Sequence, residues 1–434
     1  MTDQLFKKYL KYSSLNILGM MSISVYSLED TLFIEKSLGA DGLAALNFSI
    51  SIVSVINALG LMMGIGGGAN YSIYKSRGNL EKAKGVFTVS LWMALWVSLI
   101  IFVSGMLFSK NLAAILGARG QIHAMSNIYI KTVMLFSPFF ILNSVIICFV
   151  RNDGDPKLSM IAMVVGSVAN VILDYIFMFP MKLGIFGAVI ATSIAPIISL
   201  GILSLHFLKK DTNLKFLKEQ REFFDVKIVK LGISSFITEM ASAVTLIVFN
   251  LILLHQEGNL GVSAYAIIAN IALVVLSVYA GISQGMQPLT SHEYGVGNKE
   301  NTKRLLKYGI MSSLVATFMI YMYSFFNAEF IVNIFNDKGI EEITRLASEG
   351  VRIYFTGFFF AGINIVVSAY LASIERARAS FVISVLRGVL LIVPVVLIMG
   401  YFLHTTGVWM GFAVTEIIIF FVSYYLIKLT DKNI

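Results

Sequence analysis

Residues 168–180 read VANVILDYIFMFP, with one acid, Asp174, set among apolar side chains. A charged side chain at bilayer depth costs about 2.5–3.5 kcal/mol on insertion scales. Asp174 therefore needs a partner, a proton or a cation. Asn170 lies four residues earlier and so shares its face of a helix. Glu29 and Asp30 interrupt a second apolar run and Thr192 falls in a third, while Glu239 and Glu416 stand in two more. Oxygen-bearing groups of this kind suit a hard cation or a shared proton.

Those runs define the solvent. The chain has 434 residues, of which 57% are hydrophobic and 13% charged, and its mean hydropathy is +0.81. A soluble domain is nearer a quarter charged. Apolar stretches long enough to cross a bilayer, roughly 20 residues each, recur from end to end. The fold class is therefore an all-α integral membrane protein. Twelve spans are expected near 12–35, 45–70, 86–108, 127–150, 158–179, 184–208, 228–254, 261–286, 308–330, 350–373, 381–402 and 405–428. The first is too long, and too polar in its second half, to be a signal peptide.

Charge placement tests that count. With the N-terminus in the cytoplasm, the inner segments hold 25 of the 33 Lys and Arg, from Lys7 to Lys432 and including Arg387. A miscounted span would flip every later loop and spoil this bias, so both termini are expected inside. The net charge of +8 then orients the chain and carries no nucleic-acid signal. The longest polar stretch, KKDTNLKFLKEQREFFDVK (209–227), separates six spans from six. The expected organisation is a first lobe at 1–210, a cytoplasmic amphipathic linker at 211–227 and a second lobe at 228–434.

The halves repeat. At an offset of 219, GGGANYSIYKSRGNLEKAK (66–84) aligns with GMQPLTSHEYGVGNKENTK (285–303): Gly66 meets Gly285, Ser72 meets Ser291, and Gly78-Asn79 meets Gly297-Asn298. At 223, LGIFGA (183–188) meets TGVWMG (406–411). Six spans per half is even, so the repeat is parallel, with a pseudo-twofold axis along the membrane normal. Such a pair of lobes implies a cavity worked by alternating access, a transporter architecture.

Depth brings the polar residues together. At 1.5 Å per residue, Asp174 lies roughly 9 Å from the outer end of span 5, Asn170 about 15 Å, Asp30 roughly 9 Å into span 1 and Thr192 about 12 Å into span 6. Four oxygen-bearing side chains thus share one outer layer of the first lobe, where two close acids would titrate as a coupled pair. Glu29, about 100° around the helix from Asp30, and Glu239 and Glu416, near the middle of spans 7 and 12, are candidates to meet substrate or a second cation.

Here the chain resembles the multidrug and toxic compound extrusion (MATE) family over nearly its whole length. The resemblance is carried by LEDTLFIEKSLGADGLAALN (28–47), the Gly-Asn turn after span 2, RNDGDPKLSM (151–160), NVILDYIFMF (170–179), GIFGAVIAT (184–192) and QPLTSHEYGVGN (287–298), in that order. It implies a twelve-helix, two-lobe antiporter in the cell's inner (plasma) membrane. Such a protein exports organic cations or amphipathic drugs and is driven by inward Na⁺ or H⁺, with no other cofactor. It also implies that Asp30, Asn170, Asp174 and Thr192 form the first-lobe cation site, with Glu239 a looser match to a second-lobe acid. The chain departs from the family pattern in three places. Span 1 lacks the usual proline, Ser234 stands where proline is common in span 7, and the first Gly-x-Gly-Asn turn reads SRGN (76–79).

Other chemistries find little purchase. Cys148 is the single cysteine, which excludes an internal disulfide. The five histidines show no ligand spacing, so no metal is expected. GIGGGAN (64–70) has neither the strand nor the Lys-Ser/Thr of a phosphate loop, and close helix packing explains it better. A flippase for lipid-linked oligosaccharides would want a basic cavity, and a membrane transferase would want clustered acids or histidines at the membrane boundary. NDGDP (152–156) reads instead as a tight turn. The expected protein is a monomeric transporter, not an enzyme, with no nucleic-acid partner.

Overall fold

A backbone in hydrocarbon must satisfy its own N–H and C=O groups, and helices do so within one segment. The computed structural model describes residues 2–217, 222–336 and 339–431; Lys218, Arg221 and Lys432, counted above with the inner charges, lie outside them. Among the described residues there are helices and no strand.

Spans 1 and 2 run through one long helix, α1 (Thr2–Ser76), whose only non-helical residue is Gly39 at φ 66°, ψ −155°. Spans 7 and 8 do the same in α7 (Val226–Gly295), broken at Gly258 with φ 62°, ψ −147°. The two breaks are 219 residues apart, the offset of the sequence repeat, and each falls in an expected turn. Only glycine takes that backbone region readily. Span 1 stays helical where the family's proline is missing.

Between them lie α2 (Leu80–Ile115), then α3 (Gly120–Leu135) and α4 (Ser137–Asp153), bent by 51° to make span 4, then α5 (Pro156–Met178) and α6 (Gly184–Ser204). After α7 come α8 (Lys299–Phe326), the short α9 (Ala328–Phe335), and α10 (Glu341–Tyr354) with α11 (Phe358–Ser373) as span 10. Span 11 begins as α12 (Ala377–Val385), passes through a π-helical turn at Leu386–Leu390, and continues into α13 (Ile392–Asp431). A break at His404 (φ 51°) starts span 12. Several helices outrun the expected spans, because apolar windows mark the lipid-buried length and not the helix ends.

Two compact units emerge, each with its own core. One is Leu18–Glu239; the other is Met1–Ile17 together with Met240–Ile434. They differ from the expected lobes in trading the first turns of spans 1 and 7. Both trades rest on glycine. Within the first unit, a Cβ on Gly66 would lie 2.1 Å from the Ile228 carbonyl oxygen. Within the second, a Cβ on Gly285, its repeat partner, would lie 2.6 Å from Ser13 Cα. Gly66→Leu or Gly285→Leu should therefore lower the melting midpoint of the purified protein, overpacking costing about 1–3 kcal/mol or more. Gly201→Leu, which meets nothing within 4 Å, should not.

NDGDP closes α4 and opens α5 as a turn: Gly154 has φ 113°, and the Asp155 carboxylate caps the Leu158 N–H at 3.2 Å. The same acids hold the linker. Asp153 accepts hydrogen bonds from Tyr71 (2.7 Å), Lys75, Thr212 (3.2 Å) and the Asn213 N–H (3.1 Å). His206 reaches Asp153 through Nε2 at 2.8 Å and Asp155 through Nδ1 at 3.4 Å. Burial alone would raise both carboxyls; the hydrogen bonds from His206, Lys75 and Tyr71 on Asp153, and from Lys209 on Asp155, hold them below the ordinary carboxylate value. A depressed carboxyl stabilises above its unfolded pKa and loses that contribution only as pH falls through its lowered value, so the latch is closed at neutral pH. Asp153→Asn should speed tryptic cleavage at Lys209, Lys210 and Lys215 several-fold.

Candidate cation site

The face of α5 is written in its sequence. Its buried residues Ser159, Ala162, Met163, Gly166, Ser167, Asn170, Asp174 and Met178 recur at three- and four-residue spacing, while Val165, Val168, Ile172 and Tyr175 point outward. Asn170 and Asp174 are fully buried, Asp30 on α1 is 6% exposed and Thr192 on α6 is 7% exposed. All four belong to the Leu18–Glu239 unit.

Their hydrogen bonding is incomplete. Thr192 Oγ1 donates to the Ala188 carbonyl at 3.0 Å and accepts from Asn170 Nδ2 at 3.4 Å. Tyr129, on α3, is buried beside the same hydroxyl. Both carboxylate oxygens of Asp174, Oδ1 of Asp30 and Oδ1 of Asn170 are buried with no hydrogen-bond partner among the described residues. An unsatisfied buried acceptor is costly and an unpaired buried charge more so. The charges of Asp30 and Glu29 both reach Asp174, so the site concentrates negative potential on acceptors that no described residue satisfies. Such a donor set fits a proton or a small hard cation.

The remaining candidates divide. Glu29 has both carboxylate oxygens buried and unpartnered among the described residues. Glu239, the last residue of the same unit, is half-buried, and its charge reaches Tyr26, which also feels Asp30 and Asp174. Glu416 is differently placed. It lies on α13 in the other unit, 1% exposed, where it accepts Arg387 Nε at 2.6 Å and Asn364 Nδ2 at 2.8 Å. This candidate for substrate or a second cation thus already holds an internal cation. Arg387, counted among the inner-loop charges, sits in the π turn within span 11. Six residues inside an apolar window, it was the signal for that pair. Tyr26 and Tyr129 carried less signal, although Tyr26 precedes Asp30 by one helical turn.

Comparison with known proteins follows this geometry. The MatE family model matches residues 16–176 and 234–398, a range that includes Asp30, Asn170, Asp174, Glu239 and Arg387. The multidrug export protein MepA of Staphylococcus aureus is 27% identical over 416 residues, covering 95% of this chain and 91% of its own. MepA of Staphylococcus saprophyticus is 26% identical over 420 residues, covering 96% and 92%. Among solved structures, a multidrug resistance MATE family transporter in an outward-facing conformation superposes with a TM-score of 0.91 at 22% identity, covering 98% of this chain and 96% of that one. A Vibrio cholerae MATE transporter does so at 0.91 and 20%, covering 100% and 98%. At these identities the structures speak to the fold.

Proposed function

The chain belongs to the MATE family of multidrug transporters, and from that premise we propose that it is a cation-coupled antiporter whose coupling site is the Asp30–Asn170–Asp174–Thr192 cluster. It is a transporter and not an enzyme. The observation that carries the proposal is the set of buried acceptors on Asp30, Asn170 and Asp174 that no described residue satisfies.

An external Na⁺ or H⁺ entering this cluster neutralises two acids that repel each other in a low-dielectric interior. A ligand shifts a conformational equilibrium only as far as it prefers one state, and here the preference comes from relieving that repulsion. Span 1 carries Asp30 and responds by re-orienting against spans 5 and 6. The cavity then loses affinity for its cargo, which leaves on the outer side, and the emptied protein returns. The cargo class is organic cations or amphipathic drugs, supported by the multidrug export relatives. The loop charges support cytoplasmic termini in the plasma membrane, and the working unit is a monomer. The flippase reading is weaker, since the arginine within span 11 is engaged by Glu416 and is not open to a pyrophosphate.

Reconstitution tests this. In liposomes loaded with an ethidium-like dye, movement should follow one imposed gradient, Na⁺ or pH, and stop when an ionophore dissipates it. Lipid scrambling with no dye movement would support the flippase instead.

A further inference from the structure

The two halves can be compared bond by bond, each within its own unit. Ser159 Oγ donates to the Ile147 carbonyl at 3.2 Å, and 221 residues later Ser380 Oγ donates to the Ser368 carbonyl at 2.8 Å. Gly154 and Glu375, also 221 apart, both take positive φ just before a helix starts. Further along, Thr192 bonds back to Ala188 and Thr415 to Gly411, at 3.0 and 2.7 Å, an offset of 223. The offset grows between these landmarks, and the π turn at Leu386–Leu390 lies in that interval, with Leu391 N bonded to Leu386 O at 3.0 Å. A π turn absorbs an inserted residue and often marks a functional site.

This register pairs Asn143 with Asn364, Gly166 with Arg387 and Ser193 with Glu416. The first half is uncharged at all three positions, whereas the second holds an ion pair. The reverse is true at the positions of the first half's acids. Asp30 falls opposite Phe249 by the offset of the Gly39 and Gly258 breaks, and Asp174 opposite the apolar segment Val395–Leu397. At these register-matched positions each half buries acid, and the second pairs its acid with a basic side chain on a neighbouring span. That charge is firmly seated: Glu416 takes Arg387 Nε at 2.6 Å and Asn364 Nδ2 at 2.8 Å, and Ser423 Oγ donates to Asn364 Oδ1 at 3.0 Å.

We propose that Arg387 is a tethered cation that fills the second half's ion site, confining external coupling ions to the first half. Removing its charge turns Glu416 into a new site for a monovalent cation, either Na⁺ or H⁺. This deepens the coupling reading and rests on it for the first-half site alone. The titratable groups facing the pair are Tyr279 on α7 and Tyr354 on α10, which feel both charges.

The test uses the full-length protein in detergent, with Na⁺ titrated calorimetrically at fixed pH and proton uptake followed in K⁺ buffer on acidification. Asp174→Asn should lose the saturable cation step of the wild type. Asp174→Asn/Arg387→Gln should regain one, and adding Glu416→Gln should remove it again. Loss in the first variant tests the coupling site; regain in the second tests this proposal, so either can fail alone. Arg387→Gln leaves an unpaired acid, and its melting midpoint should rise with Na⁺ or with acid, whichever cation the site takes. Arg387→Gln/Glu416→Gln should melt independently of both. No regained step in the double variant, or an Arg387→Gln protein that neither cation stabilises, overturns the proposal.

Discussion

Asp174→Asn should abolish gradient-driven dye export while the transporter still folds. Asparagine keeps the size of the side chain and removes a buried charge that no described residue pairs, so the fold loses nothing it depended on. What disappears is the difference in cation affinity between the two conformations, and with it the coupling. The expected drop in ion-driven export is at least about tenfold, equivalent to about 1.4 kcal/mol of lost driving preference. The melting midpoint should stay level or rise. Asn170→Ala, which removes one neutral acceptor and the bond to Thr192, should cost less. Retained coupling in Asp174→Asn would remove the acid from the mechanism.

Glu416→Ala should do the opposite, leaving a poorly folded protein. It strands Arg387, whose guanidinium pairs at 2.6 Å with a carboxylate that is 1% exposed. Breaking a buried pair from one side costs about 3–5 kcal/mol, whereas replacing both partners with packed apolar groups is often neutral. Arg387→Met/Glu416→Leu should therefore recover most of the lost stability. Because Glu416→Ala leaves a cation and no acid, added Na⁺ should not rescue it. Thermal melts across these variants measure both effects. A single variant as stable as the wild type would mean the pair contributes nothing to the fold.

Much of the fold is legible in the sequence. The twelve spans followed from apolar length and loop charge because the bilayer forces both. The breaks at Gly39, Gly258 and His404 fell in expected turns. Asp30, Asn170, Asp174 and Thr192 stood out because acids and amides are costly where they lie, and helical rise alone placed them at similar depth. The first turns of spans 1 and 7 are not legible in the sequence as parts of the other unit, since close helix approach decides this and Gly66 and Gly285 reveal it only in three dimensions. Arg387 counts with the inner charges by loop position, yet it lies six residues inside an apolar window; what the sequence hides is its partner Glu416, 29 residues away on another span. The bridge from His206 to Asp153 and Asp155 was equally silent: a lone histidine at a helix end carries no spacing to read.

The most direct test of the central claim, that Asp30 and Asp174 take the coupling ion, is difference infrared spectroscopy of the reconstituted protein as Na⁺ or pH is switched. Carboxyl bands should change in the wild type and vanish from the difference spectrum in Asp30→Asn/Asp174→Asn. Unaltered bands in that double variant would place the ion elsewhere and contradict the account.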